Sequence, residues 1–296
     1  MIFSQKRGHV PTIVISCGGF GLLVLITLKK LVVESYGDLR NARMRLLGID
    51  AASPDYLVKS EKEGVTADDL RLLGSEFVRV IFEPPPDFRI DHFPELGRHI
   101  PSDVEMVLDD PKICKEGCLK IASLGRLCWD FNYNQGVVVQ KQILALFENI
   151  FSMDEIAQHV GEDRLIRVFI VGSCCGGTGR AMLIPLGYAV QGMKRDGMIS
   201  FPTEVTGLVG LPEIFSSTDQ RLGANAYQWL RELQYYSRSD TTYESRYPNW
   251  THQKPLKMRP FDRVYLFSRS NAVIVMRDKT EVANLIAQRI LLDSLA

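Results

Sequence analysis

The chain has 296 residues, with 35 basic and 35 acidic side chains, 46% hydrophobic residues and 24% charged ones. That composition excludes a disordered chain, a collagen and a coiled coil, and a chain of this length buries roughly three quarters of its unfolded surface without disulfide or metal staples. Zero net charge removes any general attraction to nucleic acid or an anionic membrane, so an anion must be held locally. The six cysteines are too sparse for a disulfide framework, and adjacent Cys174 and Cys175 make poor partners for a structural bridge, which points to a reducing cytoplasm.

In chain order, the uncharged stretch Val10 to Leu28 lies between Lys6-Arg7 and Lys29-Lys30 and is long enough to be weighed as a membrane span. Pro11 and the run Ser16-Cys17-Gly18-Gly19-Phe20-Gly21 interrupt it where a spanning helix needs continuity, so no membrane insertion is expected. The same residues read as a strand over Thr12 to Ile15, a glycine turn, and a helix from Leu22 to Val33. Such a unit can hold phosphate, because glycine admits the ligand to the backbone and a helix N-terminus offers unpaired N–H groups.

Further strands are expected at Arg45 to Ile49, Phe77 to Ile81, Arg167 to Val171, Val205 to Val209 and Val264 to Phe267. Helices are expected at Thr66 to Leu73, Val137 to Phe151, Gly179 to Lys194, Ala224 to Tyr236 and Thr280 to Leu292. This alternation predicts an α/β fold, a three-layer Rossmann-like parallel sheet with its ligand loops at the carboxyl ends of the strands. Residues 83–114, with Pro84-Pro85-Pro86, and 237–258 read as surface excursions.

The most informative block is the strand Val168 to Val171 running through Gly172-Ser173-Cys174-Cys175 into Gly176-Gly177-Thr178-Gly179-Arg180-Ala181. Backbone amides there can cradle phosphates and Thr178 adds a hydroxyl, but no Gly-Lys-Ser/Thr follows, so the block is not a P-loop. A purely structural glycine turn is the bland alternative.

This block resembles the Gly-Gly-Gly-Thr-Gly-Ser-Gly signature of the tubulin/FtsZ superfamily. Pro11 to Gly21 is similar to the first nucleotide loop of that superfamily, especially of large bacterial tubulin-like proteins, and Gly117-Cys118 with Gly125-Arg126 resembles the third loop. Leu211-Pro212-Glu213 is similar to the fifth loop, Asn225-Ala226 to the family's Asn-Ala pattern, and Phe261 to Asn271 to the sixth strand and its guanine-binding asparagine. The motifs stand in the family's order from residue 11 to 271.

The resemblance implies a GTP or GDP site. Gly18, Gly19 and Gly21 from the first loop, Gly117, Cys118 and Gly125 from the third, and Gly176, Gly177, Thr178 and Gly179 from the fourth would face the phosphates. Asn225 and Asn271, with Glu213 nearby, would serve the base or ribose, and Asp50 would face Mg2+. Arg180, where the family has serine, is expected to reach a phosphate oxygen or to crowd the pocket. Ser16 and Cys175 stand in glycine positions, and Cys17, Cys118 and Cys174 read as small space-fillers.

The resemblance also implies that residues 1–296 form the nucleotide-binding domain and stop within the family's long central helix, without the C-terminal activation domain. The acidic loop with which family polymerases complete a neighbour's GTPase site would then be absent, so no catalytic residue is assigned and hydrolysis would need a longer protein or an assembled state. A homo-oligomer or filament is the expected partner besides guanine nucleotide. Two alternatives stand beside this one: a degenerate, non-hydrolysing scaffold of the same fold, and a dinucleotide-dependent oxidoreductase. The second is weakened because its ribose-binding acid should follow the first glycine loop by about 20 residues, and Asp50 lies farther on.

Other clusters carry less. Cys114 and Cys118 lack a second ligand pair for zinc. His9, His92, His99, His159 and His252 are scattered singly, and Asn249-Trp250-Thr251 is a chance glycosylation match. Tyr227, Trp229, Tyr235 and Tyr236 read mainly as packing residues, with Tyr227 weighed as a base-stacking side chain.

Overall fold

Apolar strands joined by helices must be covered on both faces, and here the crossovers supply both covers. A computed structural model describes residues 10–55, 57, 66, 68, 74, 76–82, 117–118, 120–135, 138–150, 165–243, 255–270 and 273–295. Their elements are β1 (Thr12–Cys17), α1 (Gly18–Tyr36), β2 (Met44–Asp50), β3 (Phe77–Arg79), α2 (Ala122–Asp130), α3 (Val138–Glu148) and β4 (Ile166–Ser173). They continue with α4 (Gly177–Arg195), β5 (Thr203–Gly210), α5 (Gln220–Tyr236), β6 (Arg263–Phe267) and α6 (Lys279–Asp293). A π-helical turn, Phe131–Gln135, extends α2.

The sheet order is β3-β2-β1-β4-β5-β6, and each neighbouring pair is parallel. This is the doubly wound order, with the direction of winding reversing between β1 and β4. Right-handed crossovers then put the helices on opposite faces on either side of the reversal. Accordingly, Val14, Phe169 and Leu208 share a core with α1 and α6, whereas Ile13, Ile15, Val168 and Ile170 share the other core with α2, α3, α4 and α5.

Helix α1 explains the membrane-like stretch. It lies between the sheet and α6 and buries Phe20 to Ile26 without interruption, together with Leu28 and Val32. A helix apolar on all sides is one covered on all sides, and each large side chain removed from water contributes about 2 kcal/mol. Among the described residues, no helix is long and apolar enough to cross a membrane.

Several expectations change. The first helix starts at Gly18 rather than Leu22, so the glycines form its first turn and not a separate loop. β6 is present as expected and lies at the sheet edge, with Arg263, Tyr265 and Leu266 exposed. The borders of the 237–258 excursion are not superficial: Tyr243 bridges Leu256 in an antiparallel pair, both are buried, and the Tyr243 ring stacks on Tyr188 at 3.9 Å. Residues 83–114, most of Thr66–Leu73, Asn271 and all five histidines lie outside the described residues.

Candidate phosphate-binding cleft

The register builds the site. Cys17 at the end of β1 pairs with Ile49 of β2 and Gly172 of β4, so the next residues, Gly18, Asp50 and Ser173, emerge level at the carboxyl edge where the winding reverses. A cleft of about 460 Å³ opens there, lined by Cys17, Gly18, Gly19, Asp50, Gly117, Cys118, Ser173 and Gly176 to Gly179. Four expected segments, far apart in sequence, thus meet at one place.

The two helix ends in this cleft are open, as is that of α2, which also lacks a side-chain cap and a first-turn acid. Neither α1, entered at Cys17, nor α4, entered at Gly176, has a side-chain cap, and neither carries an acid in its first turn. By contrast, Asp219 caps α5 and Asp278 caps α6 through backbone N–H groups. Uncapped amides and a partial positive charge from two helices therefore face one cleft, and an anion is the group that completes them.

The glycines divide into two kinds. A Cβ on Gly18, whose φ is +71°, would stand 2.9 Å from Gly179 N, and one on Gly177 would stand 2.7 Å from Cys118 Cβ. These positions let the loops close on one another. Gly21 and Gly125 do not face the cleft: a Cβ on Gly21 would meet Val171 O at 2.6 Å, and one on Gly125 would meet Gly177 O at 2.4 Å. Only packing needs glycine at those two positions. Gly176 lines the cleft and has nothing within 4 Å of its added Cβ, so a side chain there meets open space.

Arg180 departs from expectation. It is buried, pairs with Glu232 at 2.7 Å and donates from Nε to Asn225 O at 3.4 Å, so it braces α4 against α5 and does not line the cleft. Asn225 also turns its amide elsewhere, donating to Lys120 O and Cys175 O, each at 2.9 Å. Glu213 is exposed on the short Pro212–Ile214 turn and is not among the residues that line the cleft. Trp229 is fully buried and Tyr227 is largely exposed on α5, and neither lines the cleft, which removes the base-stacking reading of Tyr227.

Asp50 is 3% exposed at the cleft, and its Oδ1 accepts from Ala52 N at 3.3 Å. Burial pushes the neighbouring Cys17 thiol well above its ordinary range, and the Asp50 charge adds to the shift. Cys174 is also raised, chiefly through its contact with Cys175, their sulfurs being 3.8 Å apart. These thiols stay protonated and fill space behind the loops.

Sequence reasoning missed the apolar wall of Phe20, Leu57, Phe215 and Leu222, and the two lysines Lys120 and Lys279. Phe20 and Lys120 lie inside the motifs already singled out. The others reach the cleft from turns, from the start of α5 and through α6 docking on α1, which leave no local pattern. Lys120 is not a spare cation, since Asp219 holds it at 2.8 Å.

The family described as "Tubulin like" matches residues 13–296. Among solved structures, the chain is similar to CetZ2 from Haloferax volcanii in a GTPγS-bound protofilament, at 15% identity and a TM-score of 0.49, covering 96% of this chain and 58% of that one. It is similar to CetZ from Methanosaeta thermophila at 14% identity and TM-score 0.49, covering 96% and 53% of the two chains. A GTPγS-form protofilament of TubZ from Bacillus thuringiensis serovar israelensis matches at 13% identity and TM-score 0.49, covering 97% and 57%. The chain thus spans little more than half the length of these structures, and no curated protein sequence matches it.

Proposed function

Because the chain belongs to the tubulin-like family, we propose that the cleft between β1 and β4 binds a guanine nucleotide, GTP or GDP, through its phosphates. The observation that carries this reading is the convergence of two uncapped, acid-free helix N-termini, those of α1 and α4, on one cleft. Gly18, Gly19, Gly176 and Thr178 meet the phosphates, while Gly117 and Cys118 close the third side. Phe215 and Leu222 offer an apolar wall for the nucleoside. Base selection rests on Asn271, whose amide can supply both a donor and an acceptor to the guanine edge.

Mg2+ fits as a companion of the nucleotide. Asp50, a carboxylate that lines the cleft, would face the ion directly or through water, with phosphate oxygens supplying further ligands. The five described cysteines are all free and buried, which fits a reducing cytoplasm. Head-to-tail association of copies accompanies the reading, since a heterologous contact that does not close builds a filament. Hydrolysis is assigned to no residue of this chain.

A second reading, a scaffold of the same fold that binds no nucleotide, is favoured by the engagement of Arg180 and Asn225 within the protein. Equilibrium binding of labelled GTP, GDP, ATP and NAD, with Gly176→Asp and Asn271→Ala beside the wild type, separates the two. Guanine-selective binding, weakened at least tenfold by the carboxylate at 176 and made less selective at 271, supports the nucleotide site. Folded protein that binds no guanine nucleotide supports the scaffold, and a preference for NAD would point to dinucleotide chemistry in the same doubly wound sheet.

A further inference from the structure

The two departures at Arg180 and Asn225 belong to one hydrogen-bonded chain that ends on both the third and the fourth loop. The Asn225 amide nitrogen donates to Lys120 O and to Cys175 O, each at 2.9 Å, so one side chain bridges loops that are more than fifty residues apart in sequence. Behind it, Arg180 donates to Asn225 O and pairs with Glu232, which fixes this part of α5 against α4. A charge-assisted pair with little solvent access is a firm anchor for the residue between.

Lys120 needs such an anchor. It is a non-glycine residue at φ +65°, a conformation that persists where its surroundings over-determine it. Its carbonyl is taken by Asn225 and its ammonium by Asp219, the cap of α5. Both grips come from the first two turns of one helix. A base-reading asparagine must turn its amide toward the ligand, yet Asn225 does not line the cleft and directs its N–H groups at the two loop carbonyls.

We propose that Asn225 is a positioning residue: anchored by Arg180, it staples the third loop to the fourth across the phosphate end of the cleft and does not read the base. The proposal rests on the nucleotide reading for its consequence, but the staple itself is a property of the nucleotide-free protein. Its reach is set by the Ile121 N–H bond to Cys118 O and the Cys175 N–H bond to Ser173 Oγ, which define the two loop turns it joins.

Two variants test it, Asn225→Ala and the isosteric Asn225→Asp, the second guarding against a packing defect. Hydrogen exchange of the nucleotide-free protein is followed in peptides covering 117–121 and 173–177. Binding of GTP and of inorganic triphosphate, which has no base, is measured in parallel. The staple predicts at least tenfold faster exchange in both loop peptides, with peptides from β5 and α6 unchanged, and an equal loss of affinity, tenfold or more, for GTP and triphosphate. Aspartate places a carboxylate against two carbonyls and must act in the same direction as alanine.

A base reader gives the reverse pattern. Alanine would weaken GTP and spare triphosphate, whereas aspartate, accepting from the guanine N–H groups, would retain GTP; with unchanged loop exchange this overturns the proposal. Should the wild type bind neither GTP nor triphosphate, the nucleotide reading falls, and the exchange experiment alone decides the staple. Unchanged exchange in both folded variants overturns it.

Discussion

At Gly125 and Gly176, the same residue type serves opposite purposes. A methyl group at Gly125 would meet a backbone carbonyl of α4 at 2.4 Å, and neither helix can yield without opening the core between them. Gly125→Ala is therefore expected to lower stability by about 1–3 kcal/mol, the usual cost of overpacking. Gly176 has φ −79° and open space where its Cβ would stand, so Gly176→Ala should stay within about 0.5 kcal/mol of the wild type. Urea denaturation of the pair checks the contrast. The motif made all these glycines look like ligand contacts, because a sequence records that a side chain is absent and not which neighbour requires the absence.

At the scale of the element, α5 depends on the charge at its N-terminus. Asp219 accepts from Arg221 N at 3.0 Å and holds both Arg221 and Lys120, and these bonds, that to the Arg221 side chain first, keep its carboxyl well below the usual aspartate range. A depressed folded pKa means that the unfolded chain takes up the proton first. The contribution is thus complete above the unfolded value, about pH 4, and is lost as pH falls from there toward the folded value. Asparagine caps a helix as well as aspartate does but does not titrate. Asp219→Asn should therefore flatten the decline in stability below about pH 4 relative to wild type, measured by denaturant unfolding from pH 3 to 6.

The elements themselves were largely legible. Thr12–Cys17, Ile166–Ser173 and Thr203–Gly210 are apolar, β-branched runs bounded by glycine, and α4 follows the fourth glycine loop as expected. The start of α1 was not, because a helix entered directly from a strand through glycines has no capping side chain to announce it. The reach of Tyr243 back onto Tyr188 was also hidden, since a polar, tyrosine-rich stretch looks the same whether its aromatic rings face water or a core.

Across the whole molecule, one side of the sheet differs from the rest. At one edge, β6 has Tyr265 and Leu266 exposed, and beyond it Val273, Ile274 and Val275 are exposed by 89%, 57% and 73%. Contiguous apolar surface of this kind promotes association. The double variant Val273→Lys, Val275→Lys is expected to reduce concentration-dependent association of this chain in light scattering. It should leave unfolding stability unchanged, since neither residue is buried.

By itself the sequence determined the alternation of strands and helices and the α/β class, because periodicity and β-branched runs are local properties, while the resemblance of its motifs to a known family implied the segments that carry the cleft. Tertiary structure decided which members of those segments face the opening. Parallel register brought Gly18, Asp50 and Ser173 to one level, helix packing claimed Gly21 and Gly125 for close approach, and α5 drew Arg180 and Asn225 into a network within the protein. Those outcomes depend on contacts between residues far apart in the chain, where a side chain's direction is set by the partner it meets rather than by its neighbours in sequence.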